Sequence, residues 1–170
     1  IIRHPGSIAA GETSDLLIGQ YDMATTILDY IGIEDVQFEN SPGKSFANAL
    51  LGESMDWENE VYYEQEETRG VRTPEFAYWK RIDSLGDSEL YDMTNDPGQH
   101  INLINDPNYQ SIATELDRKL TEFYAQYSTE KYDLWEGGTA KGSVARPATF
   151  QALHGDQWRT VSESLPTFEE

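Results

Sequence analysis

The sequence predicts an α+β fold, a small antiparallel sheet with an amphipathic C-terminal helix, attached to the trailing edge of an α/β layer. Three observations predict it. Residues 1–52 combine short apolar segments with two helical patterns, residues 59–93 hold short aromatic and β-branched runs, and residues 107–127 return to a helical period. One amphipathic helix laid across one small sheet makes a stable two-layer unit.

Composition limits the class of partner. The 170 residues are 38% hydrophobic, enough for a core, while 31 Asp and Glu against 12 Lys and Arg give a net charge of −19. We expect neither nucleic acid nor a membrane as a partner, because basic patches bind anionic surfaces and no apolar run approaches the roughly 20 residues of a membrane span. The absence of cysteine excludes disulfides, thiolate metal sites and a cysteine nucleophile.

The chain opens on Ile1 and Ile2, which have the pattern of the last half of a β-strand running into the Pro5-Gly6 turn. The strands that would pair with them are not in the sequence, which has neither an initiator Met nor a visible secretory signal. We therefore expect this chain to be a later portion of a longer one.

Two helices are predicted next. After the extended segment "SDLLIGQYD", Asp22 is expected to cap the first helix and Gly32 to end it. Its apolar stripe consists of Met23, Ile27, Leu28 and Ile31. A second short helix is predicted over "SFANALLGE", with Ser45 as its cap and Gly52 at its end. Both helices need a sheet to cover.

The middle of the chain predicts three or four antiparallel strands and one long helix. The strand runs are "NEVYYEQEE", "RGVRT", "EFAYWKRID" and "SELYDM". Asp106 is expected to cap the helix, with Pro107 at its first position and Glu115 paired with Lys119 on its wet side. The apolar stripe of this helix is Tyr109, Ile112, Leu116, Leu120, Phe123 and Tyr127.

The last stretch has no period. Trp135 and Trp158 stand in sequence rich in Gly, Ser and Pro, so we expect residues 129–170 to wrap against another surface.

Five segments, in order, resemble the C-terminal portion of a formylglycine-dependent sulfatase of the alkaline-phosphatase-like superfamily. They are the Arg-x-Pro-Gly turn at Arg3, the "DMATTILD" helix, the "GKS" step, the "VRT" strand, and "ELYD" followed by "NDPG" and "NL". The match runs from Ile1 to about Tyr127. The "YDLWEGGTAKG" tail is similar to an extension found in a subset of the family, some members of which act on algal polysaccharides.

The resemblance implies an incomplete enzyme. Residues 1–54 would end the catalytic α/β/α sandwich, 55–128 would form the C-terminal α+β subdomain, and 129–170 would be the extension. The family's nucleophile lies in a Cys/Ser-x-Pro-x-Arg motif that becomes formylglycine, with calcium beside it, and this sequence has no such motif. Both are therefore expected in an N-terminal portion acting as partner, with this chain contributing no catalytic or metal-binding residue.

The implied substrate is a sulfated carbohydrate, and the implied location is periplasmic or secreted, in keeping with an acidic protein of a marine bacterium. Sulfate transfer needs cations around a dry pocket. The scarce basic residues in loops are therefore the candidates for substrate contact.

The first candidates lie in "EQEETRGVRT", which predicts a hairpin with Arg69 and Arg72 just beyond its tip. Family architecture would point this loop toward the pocket mouth, where either guanidinium could bind a uronate carboxylate or a second sulfate. The alternative is that both arginines pair with the adjacent glutamates and order the turn.

His4 and Lys141 are further candidates. His4 precedes the Pro5-Gly6 turn at the expected end of a core strand, where loops often line ligand crevices, although a lone His at a turn is more often structural. Lys141 lies in "GGTAKG", a loop that could reach an anionic glycan or simply dock with the tail.

Two other functions stay open. A phosphonate or phosphate monoesterase of the same superfamily would differ in metal ligands that this sequence does not contain. A non-catalytic glycan-binding module would need exposed aromatic platforms such as Tyr78, Trp79 and Trp135, which strand and helix periodicity equally places in the interior.

Overall fold

The computed structural model describes residues 1–33, 35–36, 38–65, 68–83, 86–131, 133 and 135. Its helices are α1 (Gln20–Tyr30), α2 (Ala47–Leu50) and α3 (Gln110–Tyr127), with a short 3₁₀ helix at Pro107–Tyr109. Its strands are β1 (Val61–Gln65), β2 (Thr68–Arg72), β3 (Phe76–Arg81) and β4 (Glu89–Asp92). No helix in this part of the chain has both the length and the apolar character needed to cross a bilayer.

The four strands form one antiparallel sheet in the order β1-β2-β3-β4, which confirms the predicted α+β unit. Val71 pairs with Tyr78, and Tyr78 pairs with Leu90, so these three side chains share one face. Helix α3 lays Leu116 and Leu120 on that face, and the cluster is almost free of solvent. The core of the described structure therefore lies between the sheet and α3.

The start and the ion pairs of α3 differ from the prediction. The Asp106 carboxylate accepts a hydrogen bond from the Asn108 amide at 2.9 Å, so it caps the 3₁₀ turn, and the α-helix begins only at Gln110. The predicted Glu115–Lys119 pair is wrong. Glu115 pairs with Arg118 at 2.6 Å, whereas Lys119 lies on the side facing the sheet and pairs with Glu60.

Helix α1 begins earlier than predicted and turns its polar side inward. Its N-cap is Gly19, and Asp22, predicted as the cap, is the third helical residue, whose side chain reaches back to the Gly19 amide at 2.7 Å. The buried residues are Asp22 and Thr26, whereas Ile27 is 53% exposed and Ile31 is 60% exposed. Most of the predicted apolar stripe thus faces away from the rest of the described structure.

The other predictions for the first region have mixed outcomes. Gly32 and Gly52 adopt φ of 76° and 79° and end their helices as predicted. The N-cap of α2 is Phe46, although the Ser45 hydroxyl accepts a hydrogen bond from the Ala47 amide at 3.1 Å. No strand forms at Ile1 and Ile2, which are exposed.

Truncating the core tests this packing. Leu120 is 1% exposed between α3 and the sheet, so Leu120→Ala should lower the free energy of unfolding by about 2 to 5 kcal/mol, through lost burial and the cavity left behind. Urea denaturation followed by circular dichroism measures this change. Leu51→Ala is the matched control, since Leu51 is 49% exposed, and it should change stability by less than about 0.5 kcal/mol. Equal effects of the two substitutions would contradict the assigned core.

Candidate functional site

His4 lies on the surface beside the end of α1. Its Nδ1 is 2.6 Å from the Tyr30 hydroxyl, and the two rings meet edge to face with centroids 5.7 Å apart. The His4 carbonyl accepts hydrogen bonds from the amides of Ser7 and Ile8, which form the predicted turn. Tyr30 thus fixes the ring through one nitrogen and leaves the other nitrogen for a further hydrogen bond.

Arg69 is buried on β2, where it binds two carboxylates. Its Nε donates to Glu64 at 2.6 Å, and one terminal nitrogen donates to Asp133 at 2.6 Å. Its guanidinium also lies 4.0 Å from the ring centroid of Tyr124 and 4.9 Å from that of Trp135. Pairing with a nearby glutamate was one of the alternatives that the sequence left open. The contact with Asp133, 64 residues later in the chain, was not predicted.

Arg72 holds a turn of the backbone. One terminal nitrogen donates to the carbonyl of Thr73, and the carbonyls of Phe76 and Pro74 lie 3.3 Å and 3.4 Å away. The guanidinium therefore closes the β2–β3 connection. The pairing of Arg72 with the glutamates at the hairpin tip stays a prediction, because Glu66 and Glu67 lie outside the described residues.

The two arginines cannot meet on one ligand. Arg69 pairs with Glu64 near the hairpin tip, whereas Arg72 pairs with Val61 at the other end of β2. Residues three apart on a strand also point to opposite faces, so Arg69 faces α3 and Arg72 faces the other side of the sheet. Lys141, the fourth candidate, lies outside the described residues.

The aromatic residues needed for a glycan-binding platform are largely covered. Tyr78 is 5% exposed and donates a hydrogen bond to Asp117 at 3.0 Å. The indole nitrogens of Trp79 and Trp135 are shielded from solvent. Tyr63 stacks edge to face on Trp79, and burial raises the pKa of the Tyr63 hydroxyl to about 12. This packing does not favour a free-standing glycan-binding module.

Asp22 has a role that was not predicted from the sequence. Besides the Gly19 amide, its carboxylate accepts a hydrogen bond from the Lys44 amide at 2.9 Å, and Thr26 accepts one from the Phe46 amide at 3.1 Å. A Cβ on Gly43 would lie 2.2 Å from the Tyr21 carbonyl oxygen, so glycine is required for this close approach. The Asp-x-x-x-Thr spacing on one helical face was the available signal.

A cleft of about 330 Å³ lies between α1, the segment after it and α3. Its cations are already neutralised: Lys44 pairs with Glu58 at 3.0 Å, Lys119 with Glu60, and Arg118 with Glu122 at 2.6 Å. A sulfate entering the cleft would have to displace a carboxylate from each of them. The cleft is therefore poorly suited to bind an anion by itself.

The described residues also do not fit a metal site. Within them, no group of three or more His, Asp or Glu side chains is placed to hold a metal ion.

A row of large apolar side chains is left open along α1 and the segments at its two ends. This apolar face consists of Ile18, Met23, Ile27, Ile31, Ile33, Val36 and Phe38, which are between 36% and 60% exposed. Patches of this kind usually mark a contact surface.

Comparison with known proteins identifies relatives of the chain. Residues 1–126 match the family model described as N-sulphoglucosamine sulphohydrolase, C-terminal. The chain is 31% identical to an N-acetylglucosamine-6-O-sulfatase of Bacteroides thetaiotaomicron, over 84% of this chain and 27% of the relative. It is 34% identical to a Δ4,5-hexuronate-2-O-sulfatase of the same organism, over 78% of this chain and 29% of the relative. The chain thus spans less than a third of the length of these relatives.

Solved structures show the same fold. One is the structure of a protein in complex with its substrate D-glucosamine-2-N,6-O-disulfate. It matches this chain with a TM-score of 0.62 and 29% identity, over 75% of this chain and 28% of that chain. The phosphonate monoester hydrolase of Agrobacterium radiobacter is similar with a TM-score of 0.55 and 19% identity, over 76% of this chain and 30% of that chain. The second likeness concerns the fold alone.

Proposed function

Since the chain belongs to the family of N-sulphoglucosamine sulphohydrolase C-terminal domains, we propose that it is the C-terminal domain of a sulfatase that hydrolyses sulfate esters of a carbohydrate. The observation that carries the proposal is the similarity to two sulfatases, each over more than three quarters of this chain. Both relatives are much longer than the chain, so the activity is that of a longer protein.

We assign the formylglycine nucleophile and its calcium to an N-terminal portion. When bound, calcium would supply positive charge for the sulfate oxygens. This chain has no cysteine, and its described residues do not form a metal site. Its own part in the reaction is then to complete the catalytic domain and to shape one wall of the substrate cleft. The division at residues 54 and 128 stays a prediction.

The apolar face of α1 supports this partnership. Helices cover sheets with an apolar side, whereas α1 turns Asp22 and Thr26 toward the rest of the described structure and its isoleucines outward. We propose that the N-terminal portion, with its sheet, covers this face.

The substrate class follows from the relatives by analogy. One is named for a 6-O-sulfated N-acetylglucosamine and the other for a 2-O-sulfated hexuronate. We propose a sulfated polysaccharide built from amino sugars or uronic acids. The algal origin of the substrate and a marine bacterial source remain predictions from the sequence, as does a periplasmic or secreted location.

The phosphonate or phosphate monoesterase is the second candidate within the superfamily. Its support is the fold likeness to the phosphonate monoester hydrolase, at lower identity than the likeness to the sulfatases. Nothing in the described residues favours it over sulfatase activity.

Sulfate release tests the proposal. The longer protein containing this chain should release sulfate from N-acetylglucosamine-6-sulfate or from a 2-O-sulfated unsaturated uronide, measured by ion chromatography. This chain alone should release none, because it carries no family nucleophile. Hydrolysis of a phosphonate monoester with no sulfate release would favour the second candidate, and sulfate release by the isolated chain would refute our placement of the catalytic groups.

A charge placed on the apolar face tests the partnership. The pair Ile27→Glu and Ile31→Glu should change the stability of the isolated chain by less than about 0.5 kcal/mol, since both side chains are exposed. In the longer protein the same pair should sharply lower the yield of folded enzyme, because it buries two unpaired carboxylates.

The matched control is the pair Thr114→Glu and Thr121→Glu on the exposed side of α3. It adds the same charge and should leave the yield unchanged. If the variant with Ile27→Glu and Ile31→Glu gave the same yield of folded enzyme as the wild type, the proposed interface would be contradicted.

We propose His4 as a substrate contact, through the nitrogen that Tyr30 leaves available. In the longer protein, His4→Ala should raise KM about tenfold with little change in kcat, as expected for one lost hydrogen bond to a charged group. Tyr30→Phe should raise KM less, because the ring is retained but no longer held. An unchanged KM in steady-state assays of His4→Ala would remove His4 from the site.

A further inference from the structure

Arg69 lies where three separate parts of the chain meet. Glu64 and Arg69 belong to the β1–β2 hairpin, Tyr124 to the last turns of α3, and Asp133 and Trp135 to the extension that follows α3. We call these five residues the Arg69 cluster. Arg69 and Asp133 are each 8% exposed, so their contact is closed to solvent.

The contacts of the guanidinium occupy both its edge and its faces. Two of its nitrogens donate to carboxylates at 2.6 Å, and the rings of Tyr124 and Trp135 lie over the planar group. Arginine suits such a site because its planar fork can bind two carboxylates and stack on aromatic rings together. Lysine, a single point charge, could not make all four contacts.

The described residues at the start of the extension also contact the same Asp133 carboxylate or its backbone. Asp133 accepts a hydrogen bond from the Trp135 amide at 2.9 Å, and its own amide donates to the Thr129 carbonyl at 3.0 Å. Asp133 thereby presents its carboxylate to Arg69 and holds Trp135 beside it. The hairpin supplies the cation, and the extension supplies a matched anion and an aromatic ring.

We propose that Arg69 is an anchor that fixes the start of the C-terminal extension to the sheet and to α3, and that its partners are this chain's own Asp133 and Trp135. Buried charge-assisted hydrogen bonds are among the stronger polar contacts in proteins, and removing one partner leaves the other charge uncompensated. The positions of Asp133 and Trp135 after α3 are then set by one arginine of the hairpin. This inference does not depend on the proposed sulfatase activity.

Glu64 has a different place in the cluster. It lies on the hairpin with Arg69, so it cannot tether the extension. Burial raises the pKa of Glu64, the hydrogen bond from Arg69 opposes this rise, and the charge of Asp133 adds to it. Glu64→Gln keeps an acceptor for Arg69 and removes a competing charge, which makes it the matched control.

Limited trypsin digestion of the isolated chain tests the anchor at Lys131, an exposed residue just before Asp133. Arg69→Met, Asp133→Ala and Trp135→Ala should each speed cleavage after Lys131 about ten- to a hundredfold, the range expected for a lost charge-assisted hydrogen bond or buried stack. Glu64→Gln should stay within about twofold of the wild type. The double variant Arg69→Met with Asp133→Ala should speed cleavage by less than the product of the two single effects, because both substitutions remove the same Arg69–Asp133 bond.

Hydrogen exchange gives a second readout. Arg69→Met leaves the bond between the Trp135 amide and Asp133 chemically possible, so faster exchange at that amide would report release of the extension. Asp133 and Trp135 lie outside the sheet and α3, so replacing them by Ala should not prevent folding. These two variants can therefore test the proposal even if Arg69→Met does not fold. The proposal would be overturned if these two variants were cleaved after Lys131 at the wild-type rate. It would also be overturned if the two effects multiplied in the double variant, or if Glu64→Gln sped cleavage as much as Arg69→Met.

Discussion

The hydrogen bonds that Asp22 and Thr26 accept from the Lys44 and Phe46 amides fix the orientation of α1, and the role of the first region depends on them. A helix normally buries its apolar side, but here two polar side chains satisfy the backbone of the following segment. Gly43 allows that segment to come against α1. The isoleucines then face outward, where Ile27 and Ile31 are 53% and 60% exposed.

The two halves of the chain therefore differ in how complete they are. The sheet and α3 enclose their own core, with Leu90 and Leu120 nearly free of solvent. The first region buries Phe46 together with the polar side chains of Asp22 and Thr26, and it leaves the apolar face of α1 open. This contrast fits the proposal that the first region joins the N-terminal portion of a longer protein.

The elements that the sequence predicted best are those that bury one face against a single neighbouring element. Alternating aromatic and β-branched runs predicted the sheet, and the stripe through Leu116 and Leu120 predicted α3, because each pattern reports burial on a single face. The expected position of Asp22 was wrong because carboxylates can cap a helix from its third residue as well as from its N-cap. Lys119 was assigned to the wrong partner because only the fold brings Glu60 beside it.

The candidate site was harder to predict, because ion pairs between distant segments leave no periodic signal. Nothing near Arg69 in the sequence indicates Asp133, 64 residues later. The sequence can offer scarce cations as candidates for an anionic substrate. Whether each is available depends on which carboxylates the fold brings to it.

Arg69 and Arg72 are three residues apart on β2 and so lie on opposite faces of the sheet, which affects the register in which β2 can pair with β1. A slip of one residue against β1 would exchange the two faces of the strand. Arg72 would then be driven into the apolar layer beneath α3, and Val71 would be expelled from it. A hairpin with the shifted register would thus bury a charged side chain and expose an apolar one. Both changes are unfavourable, so the sequence of β2 disfavours this error in register during folding.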